Sequence, residues 1–247
     1  MLLITSKSMA KSKKIKIFIA LFYFFLVSLF LYFIFTKYSF EEITSYEFIK
    51  NNQNYFYELR QSNLFILSLL FILFAIVWVF AAGFGSPLAL VAGFIFGKWF
   101  GLLFVVLGMT FGATLLYIFA NYFLKDIIRD KFLNKFKNLE EKFKKSEFTY
   151  LLIYRFVGGI PFQIQNIIPC IFNVKITNFF WSTFLGMIPS LFLVTSIGSG
   201  LEEIIEKNIT APSLYQLIST PSIFIPLIAF FSLFVLMILI RKFFLKR

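Results

Sequence analysis

The sequence lacks histidine and contains a single cysteine, Cys170, among 247 residues. No disulfide can form within a chain that has one cysteine, and a histidine-based catalytic triad or a metal site of His and Cys ligands is excluded. Cys170 lies in an apolar run with no cation near it in sequence, so we expect it to pack rather than to react. We therefore expect no metal and no other cofactor.

Charge is scarce as well. Charged residues make up 15% of the chain, whereas 60% of the residues are apolar and 39 are Phe. A soluble domain of this composition would expose a large apolar surface to water. The composition therefore predicts an all-α polytopic membrane protein, and nothing in it suggests binding to nucleic acid.

The distribution of apolar runs divides the chain into six parts. We expect a basic cytoplasmic N-terminus at 1–16, a signal-anchor transmembrane helix at 17–35, an extracytoplasmic amphipathic segment at 36–63, a membrane domain at 64–201, an extracytoplasmic loop at 202–220, and a last transmembrane helix with a basic tail at 221–247. The first run covers about 30 Å of hydrocarbon. It is longer than the core of a signal peptide and no small-residue cleavage site follows it, which favours an uncleaved anchor. About four to five transmembrane helices are predicted.

The positions of Lys and Arg predict the orientation. In this topology 18 of the 24 basic residues lie on one side, five lie on the other, and Arg155 lies within the membrane. Basic loops stay in the cytoplasm, so we expect both termini there, in a bacterial inner membrane. The stretch from Lys125 to Lys145 has the periodicity of a basic amphipathic helix, which would lie either on an anionic leaflet or on the protein's own bundle.

Helix breakers interrupt the apolar domain at two places. The first break contains Gly83, Gly85, Ser86 and Pro87; the second contains Gly158, Gly159 and Pro161, followed by Pro169. Proline removes a backbone donor and pushes the preceding residue away from α geometry. Each break precedes similar sequence, with Phe96-Gly97 in one copy and Phe172-Asn173 in the other, and then a long helix with a Gly-Met pair.

This weak repeat, in two opposite orientations, predicts two opposed re-entrant hairpins around a site near the bilayer midplane. Chance similarity is the alternative. Small residues suit close contact between helices. We assign to helix packing the positions Gly93, Gly97, Gly101, Gly108, Gly112, Gly186 and Pro189.

Arg155 is the one cation predicted inside the membrane. It lies eight residues after Glu147, which is about 12 Å of helical rise, and a cation at that depth costs from about 3 to above 10 kcal/mol. No acid is predicted in the spans, so its partners would be backbone carbonyls at the breaks, neighbouring amides, or an anion such as phosphate, which fits the guanidinium fork. The candidate binding site for a lipid phosphate is Arg155, Gln163, Gln165 and Asn166. The alternative is that Arg155 snorkels to the interface.

At these residues the chain resembles the DedA superfamily, in its branch of SNARE-associated Golgi or VTT-domain proteins. The resemblance covers roughly Leu64 to Leu201. It is carried by the motifs Gly85-Ser86-Pro87, Ala92-Gly93-Phe94-Ile95-Phe96-Gly97, Gly108, Gly112-Ala113-Thr114, Arg155-Phe156, Pro161-Phe162, Asn166, Leu185-Gly186-Met187-Ile188-Pro189 and Gly198.

The resemblance implies two re-entrant hairpins that meet in the membrane, and a role in moving phospholipids or polyprenyl phosphates between leaflets in support of membrane homeostasis. By motif position, Arg155 corresponds to the family's functional arginine, and Pro87, Pro161 and Asn166 to its hairpin residues. Proton-coupled members carry acids around the first hairpin and a second arginine in the second. Here the first hairpin has no acid and Pro161 stands in place of that arginine, so proton coupling through a carboxylate is not expected.

The predicted function is therefore lipid translocation or scrambling, with membrane lipids of anionic headgroup as partners and a homo-oligomer as an option. A structural scaffold or assembly factor that acts through protein partners is the main alternative, and a transporter of small solutes is another. An enzyme is not expected, because Ser86, Ser190 and Ser196 have no evident base or metal.

Overall fold

A computed structural model describes residues 2–37, 50–51, 53–126, 146–157, 160–207, 213, 215 and 219–244. Within these ranges the regular structure is helical and contains no strand. The helices are α1 (Leu2–Lys37), α2 (Gln53–Phe80), α3 (Gly85–Phe119), α4 (Glu147–Val157), α5 (Phe162–Ile167), α6 (Ile176–Lys207) and α7 (Pro221–Phe244). A π-helical turn, Ala120–Leu124, extends α3, and a 3-10 helix, Ile168–Phe172, extends α5.

Three helical stretches in the described ranges are long and apolar enough to cross a membrane: Asn63–Phe80, Gly85–Leu124 and Ile176–Leu201. Shorter apolar stretches lie in α1 and α7, at Ile15–Leu29 and Ile223–Ser232. Large apolar side chains such as Phe18, Phe65 and Phe231 point away from the protein. Outward-facing apolar side chains on apolar helices suit a lipid environment. The predicted class, an all-α membrane protein, is confirmed.

The apolar part of α2 has a defined beginning and end. At Asn63 the backbone leaves helical geometry, and the Asn63 Oδ1 accepts a hydrogen bond of 3.1 Å from the backbone N–H of Ile66, as a helix cap does. After Phe80 the chain turns through Ala82, whose φ is 59°. The backbone N–H of Ala82 donates to Val79 and that of Gly83 donates to Trp78, which is the pattern of a Schellman end.

Helix α3 is folded back on itself at Gly97. Gly97 has φ 75° and ψ 172°, which only glycine adopts readily, so the chain reverses there. The limb 85–96 then runs antiparallel to the limb 98–119, because a Cβ atom added to Gly101 would lie 2.5 Å from the carbonyl oxygen of Ala92. Helix α2 runs beside the second limb, with Ala75 opposite Gly108. Helices α2 and α3 form what we call the first repeat.

The second repeat consists of α4, α5 with its 3-10 extension, and α6. Its reversal is at Asn173, which has φ 54°. Helix α4 lies beside α6: the Glu147 Oε2 accepts a 2.8 Å hydrogen bond from the Nδ2 of Asn178, and the Cβ of Arg155 lies opposite Gly186. Each repeat thus contains a helix, a limb that returns, a residue of positive φ, and a long helix.

The two repeats pack with their backbones in close contact. A Cβ atom added to Gly93 would lie 2.0 Å from the carbonyl oxygen of Thr195, and one added to Gly198 would lie 2.2 Å from that of Leu90. Phe111 contacts Phe180 with ring centroids 5.2 Å apart. The two backbone contacts require glycine, and together with the ring contact they show that α3 and α6 pack against each other at several points along their length.

Two predicted features differ in detail. Ser86 and Pro87 are not outside a helix: they lie in the first turn of α3, where the N–H groups have no intrahelical partner, so proline fits there. The interruption is instead at 81–84. Gly97 is also not a packing glycine, because a Cβ atom added to it would meet nothing within 4 Å; it forms the turn.

Other predicted features keep their place or lie outside the described residues. Pro161 caps the N-terminus of α5, Pro169 is buried in the 3-10 helix, and Pro189 lies inside α6. Gly108, Gly112 and Gly186 lie at close contacts between helices, and Gly101 lies at the close contact between the two limbs of α3. The predicted basic surface helix falls on 127–145, much of the predicted extracytoplasmic segment falls on 38–49, and Gly158 and Gly159 belong to the second break; these three parts are outside the described residues.

Candidate functional site

The side chain of Arg155 lies lengthwise along α6. Arg155 is in the last turn of α4 and is only 4% exposed. A Cβ atom added to Gly186 would lie 2.7 Å from the Arg155 Cβ, the Arg155 Nε donates a 3.2 Å hydrogen bond to the Thr183 Oγ1, and the Arg155 Cζ lies 5.0 Å from the ring centroid of Phe179. Because these three residues of α6 share one face, the side chain points toward the N-terminal end of α6.

Helix α5 covers the guanidinium from the other side. The Arg155 Nη1 donates a 3.3 Å hydrogen bond to the Gln165 Oε1, and the Gln165 Nε2 in turn donates to the carbonyl oxygen of Tyr154 at 3.5 Å. The ring centroid of Phe162 lies 5.7 Å from the Arg155 Cζ. Snorkelling would leave the guanidinium exposed at the N-terminal end of α6. The side chain of Arg155 points toward that end, but Phe162, Gln165 and Phe179 cover its guanidinium.

No carboxylate compensates the charge of Arg155 within the described part of the chain. An ion pair between Lys16 and Asp126, at 3.5 Å, lies elsewhere in the molecule. A hydroxyl, an amide and two aromatic faces surround the cation instead. The Arg155 Nη2 is buried and has no hydrogen-bond partner among the described residues. A guanidinium nitrogen that lacks a hydrogen-bond acceptor can donate to a bound anion.

Asn166, on α5, is a second buried polar residue whose side chain has no hydrogen-bond partner among the described residues. Its side chain is fully buried, and neither its Oδ1 nor its Nδ2 has a hydrogen-bond partner among the residues described. Of the four predicted site residues, Arg155 and Gln165 form a hydrogen bond with each other. Asn166, which follows Gln165 in the sequence, is buried. Gln163 is half-buried and forms no hydrogen bond with the other three.

Sequence reasoning missed three residues that touch Arg155: Phe162, Phe179 and Thr183. The last two recur with Gly186 at a spacing of three or four residues, so one face of α6 could be recognised in advance. That α4 lies against this face has no local signal in the sequence.

The tips of the two repeats meet beside this site. Helices α3 and α5 begin there, and a Cβ atom added to Gly85 would lie 3.9 Å from the Phe162 Cδ1. Two carbonyl oxygens at the first break accept hydrogen bonds from side chains: Tyr23 donates its hydroxyl to Phe80, and the Trp78 Nε1 donates to Phe84 at 2.9 Å. Irregular backbone among apolar helices is stable when its polar groups are paired in this way.

Fold and site together define a polytopic helical membrane protein with two opposed helical repeats and a buried arginine at their junction. Residues 84–200 match the family model of the VTT domain. These residues therefore form a VTT domain, and the resemblance predicted from the sequence motifs is confirmed.

Several relatives support this assignment. A "Transmembrane protein 41 homolog" from Caenorhabditis elegans is 23% identical over 54% of this chain and 57% of its own length. The "Uncharacterized protein YqeD" of Bacillus subtilis (strain 168) is 30% identical over 46% of this chain and 57% of its own. A "Transmembrane protein 41 homolog" from Dictyostelium discoideum is 24% identical over 53% of this chain and 41% of its own. The chain thus spans about half the length of these relatives. No solved structure matches it.

Proposed function

We propose that this protein moves phospholipids or polyprenyl phosphates between the two leaflets of its membrane, and that Arg155 binds the phosphate of the passing lipid. One observation supports this most: a buried guanidinium keeps an open nitrogen, Nη2, at the junction of the two repeats, with no carboxylate partner in the described part of the chain. A buried cation is costly unless compensated. A lipid phosphate would supply both the missing charge and the missing acceptor.

The neighbouring polar groups fit the same role. Asn166 offers a buried amide donor without a partner, and Gln165 holds one edge of the guanidinium. The described groups around the guanidinium are a hydroxyl, an amide and two aromatic rings, which suit binding and passage of a lipid. Membrane lipids with anionic headgroups are the proposed partners, and a homo-oligomer is compatible with the fold.

We further propose that both termini lie in the cytoplasm and that the protein resides in a bacterial inner membrane. Two contacts support the side assignment in part: the Lys16–Asp126 ion pair and the 2.7 Å hydrogen bond from Lys125 to Asn173 bring two basic residues, Lys16 and Lys125, to one end of the molecule. That end would face the cytoplasm. The relative from Bacillus subtilis is consistent with a bacterial membrane.

Reconstitution tests the proposal. The purified protein is placed in vesicles of phosphatidylethanolamine and phosphatidylglycerol with a trace of fluorescent phosphatidylglycerol, and movement is followed by quenching the outer leaflet. We expect Arg155→Ala to abolish lipid movement while the protein still inserts and accumulates. Arg155→Lys should recover part of the rate, because a point charge lacks the planar fork.

Matched amounts of folded protein are the control in this comparison. If Arg155→Ala moved lipid at the wild-type rate, the phosphate would not bind there. If the variant failed only because it unfolded, Arg155 would serve the fold, and a structural scaffold would be the better account.

A further inference from the structure

A stack of three groups ends at Arg155 and connects the two repeats. The rings of Phe179 and Tyr117 are nearly parallel, with centroids 4.4 Å apart and an interplanar angle of 13°. The Arg155 Cζ lies 5.0 Å from the same Phe179 ring. Arg155 and Phe179 belong to the second repeat, whereas Tyr117 belongs to the limb 98–119 of the first.

Both aromatic residues are fixed in place. Phe179 and Tyr117 are fully buried. The hydroxyl of Tyr117 donates a hydrogen bond to the carbonyl oxygen of Val174, just before α6 begins. The backbone N–H of Phe179 donates to Lys175 at 2.9 Å. The ring that faces the guanidinium is therefore held by both its own helix and the first repeat.

The contact with Phe179 is a substantial part of what compensates the cation. Arg155 forms two side-chain hydrogen bonds of 3.2 and 3.3 Å, both with neutral acceptors. When both groups are away from water, the attraction between a cation and an aromatic face is worth about thirtyfold in an equilibrium constant. The ring also covers one face of the guanidinium.

The first repeat has no such arrangement. Gly108 faces Ala75 as Gly186 faces Arg155, so the residues that correspond to Thr183 and Phe179 are Val105 and Gly101. Neither offers an oxygen or a ring in its side chain. The stack is thus specific to the repeat that carries the cation.

We propose that Phe179, supported by Tyr117, is a positioning residue that holds the guanidinium of Arg155 with Nη2 directed to the phosphate of the transported lipid. This rests on the function proposed above. Phe179 itself does not touch the lipid phosphate; it acts through Arg155.

The test uses the full chain in vesicles in which phosphatidylglycerol replaces phosphatidylethanolamine in steps, with fluorescent phosphatidylglycerol as the probe. We expect Phe179→Leu to slow movement about tenfold, and to raise the phosphatidylglycerol fraction that gives half the maximal rate. Phe179→Tyr keeps the aromatic face and should restore both values. Phe180→Leu is the matched control, because Phe180 is the next residue on the same helix, contacts Phe111 edge-to-face and stacks on Phe184. This variant should leave both values unchanged.

Tyr117→Leu removes the supporting ring without touching Arg155, and a smaller decrease is expected. The proposal is wrong if Phe179→Leu behaves as Phe180→Leu does, or if Phe179→Tyr fails to restore the rate. It is also wrong if neither Phe179→Leu nor Tyr117→Leu folds, because the stack then serves the fold alone. Loss of movement in Arg155→Ala together with normal movement in Phe179→Leu would overturn only this inference. Normal movement in Arg155→Ala would overturn the proposed function as well.

Discussion

The two repeats have the same packing geometry at one position and opposite chemistry. A Cβ atom added to Gly108 would lie 2.6 Å from the Cβ of Ala75 and 3.2 Å from the carbonyl oxygen of Ile72. One added to Gly186 would lie 2.7 Å from the Cβ of Arg155 and 3.2 Å from the carbonyl oxygen of Leu152. The backbone frame is thus repeated, while a methyl group in one copy is replaced by a guanidinium in the other.

This difference indicates that the two repeats have different roles. In the first repeat the limb 85–96 packs tightly through Gly93 and Gly101, and the surroundings of Ala75 are apolar. In the second repeat the returning limb consists of the short helix α5 and a 3-10 helix. Gln165 on this limb contacts Arg155, and Asn166 is buried in the core. The first repeat thus forms a closely packed apolar frame, and the second contains the polar side chains around Arg155.

The strongest test of this division is to place a cation in the frame. Ala75→Arg should prevent accumulation of folded protein, because the site is fully buried and Val105 and Gly101 offer no compensating group. An unpaired buried charge costs more than about 4 kcal/mol, a large part of the stability of a typical domain. The yield of monodisperse protein in detergent measures the effect.

Ala75→Leu separates volume from charge in this experiment, and it should cost only about 1–3 kcal/mol. If Ala75→Arg accumulated and melted like Ala75→Leu, the first repeat would accommodate a cation, and the two repeats would not differ as described.

A second comparison adds one methyl group to each repeat. Gly108→Ala and Gly186→Ala should each lower stability by about 1–3 kcal/mol, because both push on the neighbouring helix. Only Gly186→Ala displaces the stem of Arg155, so only this variant should lose lipid movement per folded molecule. Thermal unfolding and the vesicle assay on the same samples give the two quantities. Equal loss of rate in both variants would contradict the assignment of the site to the second repeat.

The smallest expected effect comes from Gln165→Glu. The Gln165 Oε1 lies 3.3 Å from the Arg155 Nη1, so a carboxylate there would pair with the guanidinium and compete with a lipid phosphate. We expect unchanged or higher thermal stability and a several-fold slower movement of lipid. Gln163→Glu is the control, since Gln163 forms no hydrogen bond with Arg155. Faster movement in Gln165→Glu would show that the site does not bind an anion.

Much of the fold could be predicted because its signals are local. The apolar runs give the class, the start of the span near Leu64 coincides with a capped helix at Asn63, and the Gly-Met pairs at Gly108 and Gly186 lie at equivalent contacts. Amides near Arg155 were expected as its partners, and Gln165 is one in the structure.

The rest depends on tertiary contacts. Pro87 is compatible both with a break and with a first helical turn, and only the structure of the preceding turn at Ala82 decides between them. Gly97 resembles a packing glycine by its spacing, but its backbone conformation makes it a turn. The contacts of Thr183, Phe179 and Tyr117 follow from how α3, α4 and α6 lie together, which no spacing along one helix reveals.

The hydroxyl of Tyr23 has a consequence for what counts as one folding unit. It donates a hydrogen bond to the carbonyl of Phe80, and its ring contacts the rings of Phe80 and Phe119. Yet Tyr23 and Phe80 both precede residue 84, where the match to the family begins. Because α2 packs on α3, a segment that contains the complete first repeat must start before residue 84 and includes the carbonyl of Phe80. Such a segment would lack the hydroxyl that pairs with this carbonyl unless α1 were transferred with it.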